Sequence, residues 1–247
     1  MSGHSKWHTI KHKKAALDAK RGKSFTRLIK EVVIAARNGG DPDMNPRLRT
    51  AITAAKAASM PADNIKRGIM RGTGELEGGQ IDEITFEGYA PGGVAILVNT
   101  ATDNRNRTVA EIRHMFGKNG GNMGAEGSVG WMFERKSQIF IEADKATEEQ
   151  LMDLALEAGA DDIELQDDQW QILSAPESHH AVLIALEKAK LPTLSAELVM
   201  IAKNTVKVDS AHVKAVMKIT DLFEEHEDVQ SVYSNAEFDD ADLEAMA

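Results

Sequence analysis

The first 72 residues have the side chains that bind phosphate groups. They contain 16 Lys and Arg residues against five Asp and Glu residues, whereas the whole chain of 247 residues contains 29 and 39. Ammonium and guanidinium groups neutralise phosphates and release their counterions, which gives affinity for a nucleic acid without sequence preference. A basic segment at one end of a net acidic chain therefore predicts a polyanion contact at that end.

The candidate contact residues are cations of this segment and two arginines further along, with one aromatic residue and one histidine among them. Trp7 either stacks on an unpaired base or anchors the N-terminal arm to the protein. Asp103 or Asn104 can cap a predicted helix, and Arg105 and Arg107 lie at its start, where they either bind phosphate or bridge to acidic residues of the protein. The predicted nucleic-acid contacts are Lys6, Trp7, Lys11, His12, Lys13, Lys14, Lys20, Arg21, Lys23, Arg27, Lys30, Arg47, Arg49, Arg105 and Arg107.

Catalytic, metal and cofactor chemistry has little support in these residues. The chain has no cysteine, which excludes disulfides, zinc–cysteine sites and a cysteine nucleophile. His4, His8 and His12 would align on a helix, but the lysines between them disfavour a divalent cation. Residues 117–130 are rich in glycine without the spacing of a P-loop, and they are interpreted as a mobile loop. We predict a protein that is not an enzyme and has no catalytic residue, metal, cofactor or small-molecule substrate.

Apolar periodicity places the basic residues on helices. A stripe of Phe25, Leu28, Ile29, Val32 and Val33 predicts a helix that is capped by Ser24 and ends at Asn38–Gly40. Lys23, Arg27 and Lys30 lie off this stripe, so they are predicted to face solvent. Two further helices are predicted after Asn45-Pro46 and after Pro61, with their basic side chains outward.

In the rest of the chain, apolar and polar residues alternate as they do in β-strands, and predicted helices lie between these segments. Strands are predicted at residues 84–86, 94–98 and 129–133, and residues 138–201 follow the βαββαβ order of a ferredoxin-like domain. A helix near 209–225 and a strand at 229–233 are left over, and they are predicted to complete the sheet that begins at residue 82.

We therefore predict a multidomain α+β fold. Its parts are an all-α basic domain (1–80), a discontinuous α+β middle domain (81–134 with 204–240), and a ferredoxin-like α+β domain (135–203) inserted in it. Both α+β domains are expected to have the split βαβ arrangement. No apolar run approaches the roughly 18 residues that a membrane span needs, and the N-terminus does not read as a signal peptide. We expect a cytoplasmic protein with no membrane contact.

Six motifs resemble those of the YebC family: Gly3–Trp7, Lys13–Ala16, Asp18–Lys23, Gly40–Asp43 with Asn45–Arg49, Glu87–Gly93 and Thr102–Val109. The resemblance runs from the N-terminus to near Tyr233. It implies three domains, the first helical and the others α+β, around an open cleft. It also implies a cytoplasmic role in gene expression. Bacterial members are described as probable DNA-binding transcriptional regulators, and others, including a mitochondrial activator of translation, act at the ribosome.

The expected function is that of a DNA-binding transcriptional regulator. One alternative is a ribosome-associated translation factor that contacts ribosomal RNA, because DNA and RNA both present phosphates. A second alternative is an adaptor whose acidic domains bind a basic protein.

Overall fold

The computed structural model describes residues 21–166, 168–239, 241 and 242, with side chains from residue 25 onward. These residues divide into two compact units. We call Trp131–Thr205 the inserted unit. Residues 21–130 and 206–242 form the main unit. The finer division of the chain into three domains stays a prediction.

The helices within the described residues are α1 (Arg21–Ala36), α2 (Pro46–Ala57), α3 (Ala62–Thr73), α4 (Arg105–Lys118), α5 (Glu148–Leu151), α6 (His179–Lys188) and α7 (Ser210–Glu225). A π-helical turn over Met152–Leu156 continues α5. None of these helices is long and apolar enough to cross a membrane.

The strands are β1 (Asp82–Ala90), β2 (Val94–Thr102), β3 (Asn122–Met123), β4 (Phe133–Glu142), β5 (Ala160–Gln166), β6 (Gln169–Ser174), β7 (Ser195–Ala202), β8 (Val206–Lys207), β9 (Val229–Ser234) and β10 (Ala236–Glu237). The two short strands β8 and β10 pair in parallel with each other.

The three N-terminal helices pack as α1 against both α2 and α3. Val32, Leu48 and Ile65, one from each helix, are buried in a common core. The side chain of Asn45 caps α2 by accepting a hydrogen bond from the Leu48 amide at 3.1 Å, and Pro46 occupies the first turn, as predicted. The predicted cap at Ser24 is wrong, because α1 already includes Arg21 and Ser24 lies inside the helix.

The sheet of the main unit has the antiparallel order β3-β1-β2-β9. β9 pairs with β2, as expected for the strand predicted at 229–233. The helices α4 and α7 pack on each other and on β1, with the Phe116 and Phe223 ring centroids 4.7 Å apart. Val33 and Ile34 of α1 join a small core cluster with Ile81 and Ala101, so the basic helix α1 lies against this sheet.

This sheet does not have the predicted split βαβ order. Its central strands β1 and β2 are joined directly by the turn Pro91–Gly93, where Gly92 and Gly93 adopt φ of 79° and 76°. Glycine adopts such left-handed angles without the steric cost that other residues incur. The turn therefore makes a tight hairpin where a ferredoxin-like domain would have a crossover helix.

The inserted unit does have the predicted arrangement, with the antiparallel order β5-β6-β4-β7 and a βαββαβ chain order. Ile139, Leu151, Ile172 and Leu186 are buried in its core. Its first strand begins at Phe133, which pairs with Ala202. The strand predicted over 129–133 is therefore wrong, because Gly130–Met132 forms a 3-10 turn.

Candidate nucleic-acid interface

Part of the predicted interface falls outside the described residues. This holds for Lys6, Trp7, Lys11, His12, Lys13, Lys14 and Lys20. His4 and His8, which are candidates only as metal ligands, also lie outside the described residues. For Arg21 and Lys23 the structure gives only the backbone, which is helical in α1. Their contact with nucleic acid stays a prediction.

Arg27 and Lys30 of α1 do not face solvent, so their predicted exposure is wrong. The Arg27 guanidinium donates hydrogen bonds to the carbonyl oxygens of Glu224 and His226 at the end of α7. Burial lowers the pKa of Arg27 from its ordinary value. Lys30 donates to the Asp228 carboxylate with an Nζ–Oδ1 distance of 2.6 Å. The apolar periodicity of α1 predicts only one buried face. Residues 224–228 cover a second face of this helix, and no pattern in the sequence of the helix indicates it.

Asp228 is the centre of this contact, and only 1% of its side chain is exposed. Its carboxylate accepts hydrogen bonds from Lys30, from the Arg107 guanidinium at 2.8 Å and from the Thr108 hydroxyl at 2.8 Å. Burial alone would raise the pKa of Asp228, but these three donors stabilise the ionised form and hold the pKa well below its usual range. The sequence carried no signal for this residue, since its donors come from distant segments.

Arg107 also forms internal ion pairs. Besides Asp228, its guanidinium lies 3.5 Å from Asp103 and 3.6 Å from Glu227. The hydrogen bond to Asp228 is the main cause that raises the pKa of Arg107. Of the two interpretations of this arginine, the structure therefore favours the bridge to acidic residues. Arg105 is exposed, and it has neither a hydrogen bond nor an ion pair with any residue in the described part of the chain.

A histidine and two carboxylates near this bridge have the spacing of metal ligands. Glu111, His226 and Asp228 each place one candidate ligand atom within 4.8 Å of the others. However, the Asp228 oxygens already accept from Lys30 and Arg107, whose charges oppose a metal cation. His226 Nδ1 accepts from the Asp228 amide at 3.1 Å, which leaves Nε2 to donate to Glu111 at 2.9 Å. These contacts describe a hydrogen-bond network rather than a metal site.

The other predicted arginines lie on α2 with different environments. Arg47 bonds to Glu31 at 2.8 Å and to Glu83 at 2.6 Å. The hydrogen bond to Glu31 is the main cause that raises its pKa. Arg49 is exposed and donates to the carbonyl oxygens of Pro42 and Asp43, at 3.1 and 3.2 Å. Because these acceptors are neutral, Arg49 keeps an uncompensated charge at the surface.

Lys56 of α2 and Lys66 of α3 are exposed cations outside the predicted set of contacts. Both lie beside a groove of about 410 Å³ between the two helices, whose apolar walls include Ile52, Ile65 and Ile69. Neither lysine has an ion pair with a described residue. Their outward helical positions could have identified them from the sequence. The structure adds that both of them line the same groove.

The glycine-rich segment 117–130 is anchored at its end, in contrast to the predicted mobile loop. The buried carboxylate of Glu87 in β1 accepts hydrogen bonds from the amides of Gly127, Val129 and Gly130 at 2.6–2.8 Å. Burial alone would raise the pKa of Glu87, but the three backbone donors lower it overall. Glu87 therefore holds the end of this segment on the sheet.

A serine and a histidine meet in the inserted unit, with Ser137 Oγ 2.7 Å from His179 Nδ1. Burial, followed by the charge of His180, lowers the pKa of His179. Ser137 is fully buried, so its hydroxyl is out of reach of a substrate. The contact ties α6 to β4, and it gives no support to nucleophilic catalysis.

Sequence and structure comparisons identify the family. Residues 5–75 match the model of the TACO1/YebC protein N-terminal domain, and residues 81–236 match that of the TACO1/YebC second and third domain. A probable transcriptional regulatory protein of Solibacter usitatus is 63% identical over the full length of both chains. A protein of the same description from Geobacter sulfurreducens is 51% identical, again over all of both chains.

A solved structure has the same fold. The crystal structure of a conserved hypothetical protein, Aq1575 from Aquifex aeolicus, superposes with a TM-score of 0.83 at 46% sequence identity. The match covers 90% of this chain and 93% of that one. With both family models matching in order along the chain, this protein belongs to the TACO1/YebC family.

Proposed function

We propose that this protein regulates gene expression by binding nucleic acid through its N-terminal helical region, with DNA as the first candidate. The observation that carries the proposal is the charge excess of residues 1–72, which have 16 basic and five acidic side chains. The names of the relatives support a regulatory role. The proposal involves no catalytic step.

The contacts in the structure change the set of cations that we propose to bind nucleic acid. Arg27, Lys30 and Arg107 are engaged with residues 224–228 and are withdrawn from the contact set. Arg49, Lys56 and Lys66 remain exposed without a carboxylate partner among the described residues, and so does Arg105 at the start of α4. These side chains, together with the basic residues before position 25, form the proposed contact.

Binding to RNA at the ribosome is the second candidate, because the same cations neutralise either phosphate backbone. The inserted unit has 15 Asp and Glu residues against six Lys and Arg residues. Such a surface repels a polyanion, and it also suits the adaptor alternative in which a basic protein is the partner. Sedimentation with ribosomes, and pulldowns treated with RNase or DNase, would separate these candidates.

A salt series with paired lysine variants tests the proposal. The full chain would be titrated with duplex DNA and with an RNA hairpin of equal charge between about 50 and about 200 mM salt. We expect the Lys56→Gln/Lys66→Gln variant to bind more weakly and to lose up to about two units of the log–log salt slope. The Lys188→Gln/Lys190→Gln variant is the charge-matched control and should bind as the wild type does. Equal binding by both variants would remove the α2 and α3 lysines from the interface, and a flat salt response would overturn the proposal.

A further inference from the structure

A second groove in the main unit has a composition that points to a different kind of partner. It has a volume of about 330 Å³ and lies between α1, α3 and the chain segment 76–81. Its lining is largely apolar: Phe25, Ile29 and Leu76 are at least partly exposed, whereas Val33, Met60 and Ile81 are buried. Leu76 is 41% exposed in this groove. The described residues thus leave an apolar surface open to solvent beside the first helix.

The charged residues that line this groove are all basic. They are Lys30, Arg67 and Arg71, and no carboxylate is present among the described lining residues. Lys30 is neutralised by Asp228. Arg67 donates to the amide oxygen of Asn64 at 2.5 Å, and Arg71 donates to the carbonyl oxygen of Gly79 at 2.6 Å. Because these two acceptors are neutral, two guanidinium charges at the groove have no counter-charge.

We propose that this groove binds an acidic amphipathic segment of a partner protein. Apolar side chains spaced by three and four residues would contact Phe25, Ile29 and Leu76, in the manner of a helix bound in a groove. Carboxylates on the flank of the same segment would pair with Arg67 and Arg71, since a guanidinium binds a carboxylate through two parallel hydrogen bonds. The two arginines at the groove favour an acidic segment by local charge complementarity, although the net charge of the whole protein is −10.

The walls favour a protein segment over a nucleic acid. Bases of a single-stranded nucleic acid are held largely by stacking on aromatic rings, whereas Phe25 is the one aromatic residue among the described residues that line this groove. Aliphatic side chains instead favour binding when they and the partner's aliphatic side chains bury apolar surface. Each Å² of apolar surface removed from water contributes roughly 25 cal/mol of free energy. The groove with Lys56 and Lys66 lies between α2 and α3 and is lined by a different set of residues. The protein-binding groove and the proposed nucleic-acid contact are therefore separable by mutation.

The test uses the full chain with labelled Ile, Leu, Val and Met methyl groups and a synthetic peptide of about 16 residues, long enough to form a helix. The peptide has Leu at helical spacing and Glu elsewhere, and a scrambled peptide of equal composition is its control. We expect saturable shifts of the Ile29, Val33, Met60 and Leu76 methyl signals with the first peptide alone. Arg67→Gln and Leu76→Gln should each weaken binding about tenfold. Lys66→Gln, next to Arg67 but on the other groove, should leave it unchanged.

Several outcomes would overturn the proposal. These are no saturable shift in this groove, equal binding of the scrambled peptide, or equal weakening by Lys66→Gln and Arg67→Gln. If an RNA hairpin or duplex DNA shifts the same methyl signals and competes with the peptide, the groove belongs to the nucleic-acid surface instead. The peptide titration involves no nucleic acid, so its failure is distinct from failure of the proposed function.

Discussion

The carboxylate of Asp228 lies 2.6 Å from the ammonium group of Lys30, although 198 positions separate the two residues in the chain. The same carboxylate accepts from Arg107 and Thr108 of α4. One buried acidic residue thus joins the first basic helix to the helix that follows β2. It also engages two cations that would otherwise be available to phosphates.

Replacement of Asp228 by Asn should destabilise the protein. The variant leaves Lys30 and Arg107 without their shared anion, and loss of one member of a buried ion pair is costly. Since Arg107 is partly exposed, we expect the free energy of unfolding to fall by about 2–4 kcal/mol. Urea unfolding followed by circular dichroism measures this. Asp221→Asn, an exposed change in the preceding helix, is the control and should remain within about 0.5 kcal/mol. Equal midpoints for the two variants would contradict the central role of Asp228.

The stabilisation from Asp228 should depend on pH. Its pKa is lower in the folded protein than the value of about 3.9 for an unfolded chain. The contribution is therefore fully present at neutral pH and is lost as the pH falls below about 4 towards the folded pKa. The difference in unfolding free energy between the wild type and Asp228→Asn should shrink between about pH 6 and about pH 3. A difference that grows with acid would have the wrong sign for this assignment.

Lys30 and Lys66 should behave in opposite ways when each is changed to Gln. Lys30→Gln removes a charged hydrogen bond to buried Asp228, so we expect a loss of about 1–3 kcal/mol in unfolding free energy. Lys66→Gln removes an exposed charge and should change stability by no more than about 0.5 kcal/mol. Polyanion affinity should fall with Lys66→Gln and stay unchanged in folded Lys30→Gln protein. The reverse pattern would place Lys30 in the interface.

Glu87→Gln should loosen the end of the glycine-rich segment. The change weakens three hydrogen bonds from the amides of Gly127, Val129 and Gly130, and we expect a loss of about 1–3 kcal/mol. Amide hydrogen exchange over residues 127–130 should accelerate. Glu126→Gln changes an exposed carboxylate of the same segment and serves as the control. Unchanged exchange in Glu87→Gln would show that other contacts hold these residues.

Two glycines should respond oppositely to alanine. A Cβ at Gly88 would lie 2.5 Å from the carbonyl oxygen of Asn122 and 2.8 Å from the Phe116 ring. Gly88→Ala should therefore lose about 1–3 kcal/mol through overpacking. A Cβ at Gly117 meets no atom within 4 Å, and Gly117→Ala should gain up to about 1 kcal/mol because alanine favours the helix. Thermal unfolding of both variants measures this, and destabilisation by Gly117→Ala would contradict the open position of that residue.

Local patterns in the chain were sufficient for much of the fold. The Asn45-Pro46 start of α2, the helix after Asn104 and the βαββαβ order of the inserted unit all follow from caps and hydrophobic periods of neighbouring residues. The six motifs that resemble the YebC family lie in the same segments, and the comparisons confirm that family. The opposite charges of the N-terminal segment and the rest of the chain are likewise readable from the sequence.

Only the tertiary structure determined which cations are free. The apolar stripe of α1 predicts one buried face, which packs against one neighbour. In the structure, α1 also contacts residues 224–228, which accept hydrogen bonds from Arg27 and Lys30. The pairing of Arg107 with Asp228 and the anchoring of residues 127–130 by Glu87 depend in the same way on distant contacts. A buried ion pair is specified by the packing of segments that are remote in sequence. Composition and spacing therefore determined the kind of surface this protein has, and tertiary contacts decided which of its side chains remain available at that surface.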